Sequence, residues 1–489
     1  MHVSLVDISS FRAARGIGFT CSGIKRVVPL AADLKIRVLF LLQRAEGWCN
    51  IRSVWQAMAA DVRFVPEVWV LPYDVRRTAE HSDRLAQATA ALSSESVPYT
   101  VWTETRTSDV SSFDVVVFTT PYDLERPNSL HFDVVARQVP VTAYIPYGFV
   151  VGGGRKNRFL QFGQPTQMHA TLVFARSWRE RAMYRRNCPT GDAHVRVTGL
   201  PRLDELSGLH LEKPDPELAA AIGGRFAVLW NSHFSFGKRH VGSLNYSTFD
   251  RIGGNLLRYA VNNPEVALIW RPHPHLLPAM TAEGLLGPNQ LAGLERDLRG
   301  AGIIFDRRAD HRPAFVASNA LLTDAGSFIF EYLATGKPMA FLHNPDGPGL
   351  TDEAEELVGH LDRVHDAQGA ISFIERARHG HDHAGGASDR ILQSFLPMQD
   401  GRSASRVVES IAGAALSARQ SRCSIPLGDD DFPVLSQLVR NLRELHDRRD
   451  RPLRWHRGIL GAYHGIRDEL TEGIKRRPWL YRILTRWRE

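Results

Sequence analysis

"LLTDAGSFIFEYLATGKPMAFLH", residues 321–343, opens on an apolar run and breaks at Asp324-Ala325-Gly326-Ser327. Apolar residues then resume at helical spacing, and Gly336-Lys337-Pro338 leads into a second apolar run. The pattern is strand, turn, helix, turn, strand, which is one βαβ unit of a parallel sheet. A strand ending in Asp-x-Gly-Ser puts those residues at the carboxyl edge of the sheet, where doubly wound folds bind ligands. Gly326 lets backbone approach a ligand closely. Ser327 is placed to cap the helix and to donate to a phosphate, which the first-turn N–H groups also favour. Glu331 follows one turn later on the same face, placed to accept from ribose hydroxyls.

Two more apolar runs end the same way. "ALIWRPHPHLLP" (267–278) stops on Arg271-Pro272-His273-Pro274. The prolines hold an extended backbone, with Arg271 suited to pair with phosphate in a cleft and His273 to donate or move a proton. "FAVLWNSHFSFGKRH" (226–240) leaves its run at Asn231-Ser232-His233 and continues to Lys238, Arg239 and His240. Three strand ends of one domain thus offer phosphate-compatible groups. No GxxxxGK[ST] is present, so a P-loop is excluded, and no GxGxxG follows a strand. "GGGRKNR" (152–158) reads as a mobile loop.

Outward from this unit, short β-branched runs alternate with amphipathic stretches over most of the chain, the signal of βα units around parallel sheets. Strands are predicted at 36–42, 68–71, 115–119, 141–145, 172–174 and 195–198, then at 226–230, 266–270, 303–305, 320–322 and 339–342. Helices are predicted near 51–60, 78–92, 178–186, 249–262, 291–298, 328–334 and 403–417. "SGLHLEKPDPE" (207–217) reads as a linker and "QSRCSIPLGDDDFP" (420–433) as a second break. The expected layout is an unplaced segment 1–34, an N-terminal Rossmann-like acceptor domain 35–206, a nucleotide-donor domain 207–419 and a basic helical tail 420–489.

Of 489 residues, 43% are hydrophobic and 23% charged, ordinary for a globular chain with a sizeable core. No apolar run reaches the ~20 residues of a membrane span, and the N-terminus lacks a secretory apolar region. Four scattered cysteines with no CxxC pair argue for a reduced cytoplasmic setting and against a thiolate zinc site. The net charge of +7 sits in residues 440–489, where fourteen Lys/Arg face seven Asp/Glu. With Trp455, Trp479, Tyr481 and Trp487, this tail suits either an anionic membrane surface or a helical cap on the body. Nucleic acid is not an expected partner, because the basic excess is not spread over a folded face. "HGHDH" (379–383) reads as a solvated loop rather than a metal site.

The stretches "VTGLPRLDEL" (197–206), "VLWNSHFSF", "RPHP" and "LLTDAGSFIFEYLATGKPMAFL" resemble the CDP-glycerol glycerophosphotransferases of teichoic acid and capsule synthesis. Residues 38–72 are similar to the opening βαβ of bacterial relatives. The resemblance implies a GT-B-like α/β fold of two facing Rossmann-like domains. It also implies a nucleotide-diphosphate donor such as CDP-glycerol and a lipid-linked or polymeric acceptor, with no cofactor and no metal. By resemblance the nucleotide diphosphate would meet Arg271, His273, Ser327 and Glu331, with Asp324 supporting the turn; the strand-end reading expects catalysis from His273 and Arg271 and adds Asn231, Ser232, Asp324 and Gly326 as donor-binding residues. Where that family carries Trp-His-Gly, this chain has Pro146-Tyr147-Gly148, with His169 the nearest histidine. The rival readings are a UDP-sugar glycosyltransferase, a UDP-GlcNAc 2-epimerase-like isomerase and a non-catalytic nucleotide-binding protein.

Overall fold

The computed structural model describes residues 35–72, 78–103, 109–206, 212–236, 244–308, 310–381 and 389–421. The segment 1–34, residues 207–211 of the linker, Lys238, Arg239, His240, His383 and the basic tail from 422 onward lie outside the described residues. Among the described residues, no helix is long and apolar enough to cross a membrane.

Two all-parallel sheets organise the chain, and each takes its core from uninterrupted apolar runs. The first joins β1 (Ile36–Leu42), β2 (Phe64–Val70), β3 (Thr100–Val101), β4 (Val115–Phe118), β5 (Val141–Tyr144), β6 (Leu172–Ala175) and β7 (Val195–Val197) in the order 3-2-1-4-5-6-7. The second joins β8 (Phe226–Asn231), β9 (Val266–Trp270), β10 (Ile304–Phe305), β11 (Ala320–Thr323), β12 (Met339–Leu342) and β13 (Asp362–Val364) in the order 10-9-8-11-12-13. Strands such as β4, β9 and β11 are buried along their whole length, as parallel strands covered on both faces must be. In each sheet the order reverses beside the first strand. The second sheet therefore opens its ligand crevice between the ends of β8 and β11.

The opening stretch folds as strand, helical turn and strand, with one change. Phe328–Glu331 makes a single α-helical turn that tightens into a 3-10 turn, Tyr332–Thr335, closed by Gly336 at φ +65°. Lys337 is structural. Its Nζ donates to the carbonyls of Phe315, Val316 and Ser318 at 2.6–2.8 Å, closing the end of the helix Arg312–Ala317.

Three departures from the sequence reading affect the site. β3 and β13 are short edge strands without a periodic pattern. "GGGRKNR" is not a loop but the start of a helix, Gly154–Phe162. The helix Ser403–Ser421 packs away from the second sheet: Val407, Val408, Ile411, Ala412 and Ala415 join the core of the first. Asp204 holds its start, accepting from the N–H groups of Ser403 and Ala404 at 3.0 and 2.8 Å. Gly199, at φ +81°, has no room for a Cβ beside Ser403. "GLPRLD" is thus the turn that receives the returning helix, so residues 403–419 lie with the first sheet rather than with the span 207–419.

Candidate active site

Two histidines lie side by side on one side of the crevice of the second sheet, one past β8 and one past β9. The ring of His233 lies 5.4 Å from that of His273, and Phe234 lies 4.6 Å from His273. The same device fixes both imidazoles. The N–H of Ser235 donates to His233 Nδ1 at 3.2 Å, and the N–H of His275 donates to His273 Nδ1 at 3.1 Å. A backbone N–H can only donate, so each Nδ1 is the acceptor and each neutral ring carries its proton on Nε2. Both half-buried rings are thereby set as Nε2–H donors at the switch point. His233 was seen in the sequence only as part of a strand end; the serine two residues on was the available signal.

Asp324 is the clasp of this edge. Its buried carboxylate accepts from the N–H of His233 at 2.8 Å and from the N–H and hydroxyl of Thr248 at 3.2 and 2.6 Å. Burial pushes this carboxyl up to about 7, against the hydrogen bonds that lower it. The turn-supporting role expected of Asp324 has this geometry. Gly326 is half-buried, and the nearest atom to a Cβ built on it is 3.8 Å away, so the backbone there is open to a ligand. Ser327 is half-buried at the N-cap position but makes no capping bond, contrary to expectation.

Several expected ligand residues belong instead to the crevice wall. Ser232 is wholly buried, and its hydroxyl accepts from Trp270 Nε1 at 2.9 Å. Asn231 joins three strand ends, donating to the Arg271 carbonyl at 3.0 Å and accepting from Thr323 Oγ1 at 3.2 Å. Arg271 leans toward β10, on the side of β9 away from the switch point. Its guanidinium donates to Asp306 Oδ2 and to the Arg308 carbonyl, both at 2.6 Å, with the side chain only 12% exposed. Burial raises the Asp306 carboxyl, but Arg271 and Arg308 outweigh it and hold the group below its usual range.

Glu331 is fully buried, facing the other domain. Its carboxylate lies 2.8 Å from Arg202 Nη2 and 3.0 Å from His311 Nε2. Burial would raise it, yet the charges of Arg202 and His311 hold it down to about 2. The Ser327 hydroxyl also engages this carboxylate, so Glu331 is held among Arg202, His311 and Ser327. Arg202 also donates to the carbonyl of Tyr147 at 3.0 Å, linking the two sheet edges. Phe149 stacks on Phe330 at 4.8 Å, Arg176 lies over both rings, and its guanidinium pairs with Glu353.

On the first sheet, the Tyr147 hydroxyl lies 3.0 Å from that of Tyr122, and desolvation raises both phenols although Tyr147 is 43% exposed. Neither is suited to act as a base at neutral pH. His169 ends the helix Pro165–His169 just before β6, at the sheet edge opposite the crevice. It therefore does not stand in for the missing histidine. Asp123, His131 and Asp133 bring one ligand atom each within 4.8 Å of one another, but Asp123 already receives Arg126 and the N–H of Phe132.

The chain superposes on a protein assigned as a UDP-N-acetylglucosamine 2-epimerase from Listeria monocytogenes with a TM-score of 0.52 and 14% identity, covering 78% of this chain and 96% of that one. A variant of the wall teichoic acid polymerase TagF gives a TM-score of 0.51 at 12% identity, covering 79% and 90%. At these identities the likeness establishes the GT-B-like fold. No curated protein matches the chain. The sequence profile of the CDP-glycerol:poly(glycerophosphate) glycerophosphotransferases matches residues 161–413, more than half of the chain and the whole of the second sheet. The chain is therefore a member of the CDP-glycerol:poly(glycerophosphate) glycerophosphotransferase family.

Proposed function

We propose that the crevice between β8 and β11 holds the diphosphate of CDP-glycerol and that the chain passes glycerol phosphate to an acceptor hydroxyl. The pair His233 and His273 carries this reading: two imidazoles locked as Nε2–H donors at a switch point suit a diphosphate. Gly326 and Ser327 offer a close backbone and a hydroxyl on the opposite side, and in this reading Glu331, buried beside Arg202 and His311, is the acceptor for a ribose diol. Arg271 acts from the wall, fixing the β9 end that carries His273.

In the reaction, the acceptor oxygen attacks the phosphorus bearing glycerol. The new P–O bond forms as the bond to the bridging oxygen breaks, the hydroxyl proton passes to solvent, and CMP leaves. Charge accumulates on that bridging oxygen, where donors already in place stabilise it most. The acceptor in this reading is a lipid-linked or polymeric glycerol phosphate of teichoic acid or capsule, met at the inner face of the plasma membrane. The charge of residues 440–489 supports such a location.

Calorimetry with CDP-glycerol, CDP-ribitol, UDP and UDP-GlcNAc, paired with a CMP-release assay, tests the reading. CDP-glycerol binding that weakens in His233→Gln and His273→Ala, with acceptor-dependent CMP release, is expected. Preference for UDP-GlcNAc would favour the glycosyltransferase or epimerase alternatives, and tight donor binding without turnover would favour the non-catalytic one.

A further inference from the structure

We propose that the helix Gly154–Phe162 is a binding site for a phosphodiester chain, receiving the polyanionic acceptor at the lip of the donor crevice; this rests on the acceptor reading above. Arg155, Lys156 and Arg158 are exposed on this helix, with Arg155 and Arg158 one turn apart on one face. Neither arginine takes part in an ion pair with another described residue. The neighbouring helix Trp178–Asn187 behaves differently: Arg179 pairs with Glu356, and Arg181 and Arg185 pair with Asp192. No Asp or Glu occurs in the sequence between Asp133 and Glu180.

The helix is also held rigidly beside the donor site. Gly152 bridges to Leu350, and the N–H of Gly153 donates to the Gly349 carbonyl at 2.9 Å. A Cβ at Gly152 would collide with Tyr246 and one at Gly153 with Leu350, so the glycines are what permit this seating. Asn157 donates to Tyr246 Oη at 2.7 Å, and the Tyr246 ring lies 5.7 Å from His233. One buried side chain therefore separates the basic turn from the proposed diphosphate clamp. A solvated basic face would need no such anchorage. A long phosphodiester acceptor does, because its terminal hydroxyl must reach the donor while earlier phosphates are held.

The test is binding of a long glycerol phosphate oligomer to the full chain, measured calorimetrically across a salt series, with glycerol phosphate monomer as control. Arg155→Gln/Arg158→Gln is expected to weaken oligomer binding about tenfold or more. The slope of log affinity against log salt should shrink by about 1.4, the single-strand value for two lost phosphate contacts. Arg155→Lys/Arg158→Lys should keep the slope, and CDP-glycerol binding should not change. Oligomer binding is read without turnover, so failure of the donor assignment leaves this measurement intact. An unchanged slope in the Gln variant overturns the proposal. So does a loss confined to phosphatidylglycerol vesicles, which would make the helix a headgroup site.

Discussion

Arg271→Ala separates a ligand role from a wall role. In the structure the guanidinium faces Asp306, whose side chain is 1% exposed, so removing it leaves a buried carboxylate short of its main partner. Breaking a buried pair from one side costs ~3–5 kcal/mol. Arg308 Nε remains 2.8 Å from Asp306, so the lower end, about 3 kcal/mol, is expected. Asp306→Asn alone should cost less, and the double variant should fall short of the sum by about 2 kcal/mol, the coupling of a direct pair. The pH dependence has a definite sign. Asp306 titrates below 3.8 in the fold, so its contribution is present above that pH and lost as pH falls through the folded value. Wild type and Arg271→Ala should therefore converge in acid. Urea unfolding at neutral pH and below pH 3.8 measures both effects. A variant with wild-type stability that no longer binds CDP-glycerol would refute the wall argument and return the guanidinium to the donor.

Four further outcomes are expected. His273→Ala should lower kcat by ~10²–10⁴ if the ring handles charge or a proton; His233→Gln, which keeps a neutral donor, should weaken CDP-glycerol binding less than His233→Ala does. Asp324 titrates at about 7 against 3.8 unfolded, so its contribution is full below 3.8 and lost as pH rises through 7. Asp324→Asn should flatten the unfolding free energy over that window by up to roughly 4 kcal/mol, at ~1.36 kcal/mol per unit. Gly153→Ala forces a Cβ against Leu350 and should cost ~1–3 kcal/mol in thermal unfolding; an unshifted melting curve would show that the seating is loose.

The strands were legible because apolar runs break into polar residues at each sheet edge, as Trp230-Asn231 and Thr323-Asp324 show. The same edges marked His273, Gly326 and Ser327 as crevice residues. Which way a side chain turns was not legible, because that depends on distant partners. Arg271 leans toward Asp306, from another strand connection, and Ser232 faces Trp270. Glu331 meets Arg202 across the domains, so the helical spacing that placed it near Ser327 said nothing of its neighbour. The glycines at 152 and 153 look like a hinge in isolation and prove to be a seat once Tyr246 and Leu350 arrive. β3 and β13 escaped notice because two or three residues carry no period.

The returning helix Ser403–Ser421 has a consequence for how the chain is made. Part of the core of the first sheet is supplied by residues translated after the entire second sheet. More than 200 residues separate β7 from that helix, so at ~5–20 residues per second the first domain waits on the order of 10–40 s with an apolar face uncovered. The second sheet, whose strands follow one another closely, can finish first. A ribosome that stalls before Ser403 would release a chain with its later half folded and its earlier half open. Chaperone dependence, and cleavage by a protease during synthesis, should then concentrate in the half of the protein that emerges first.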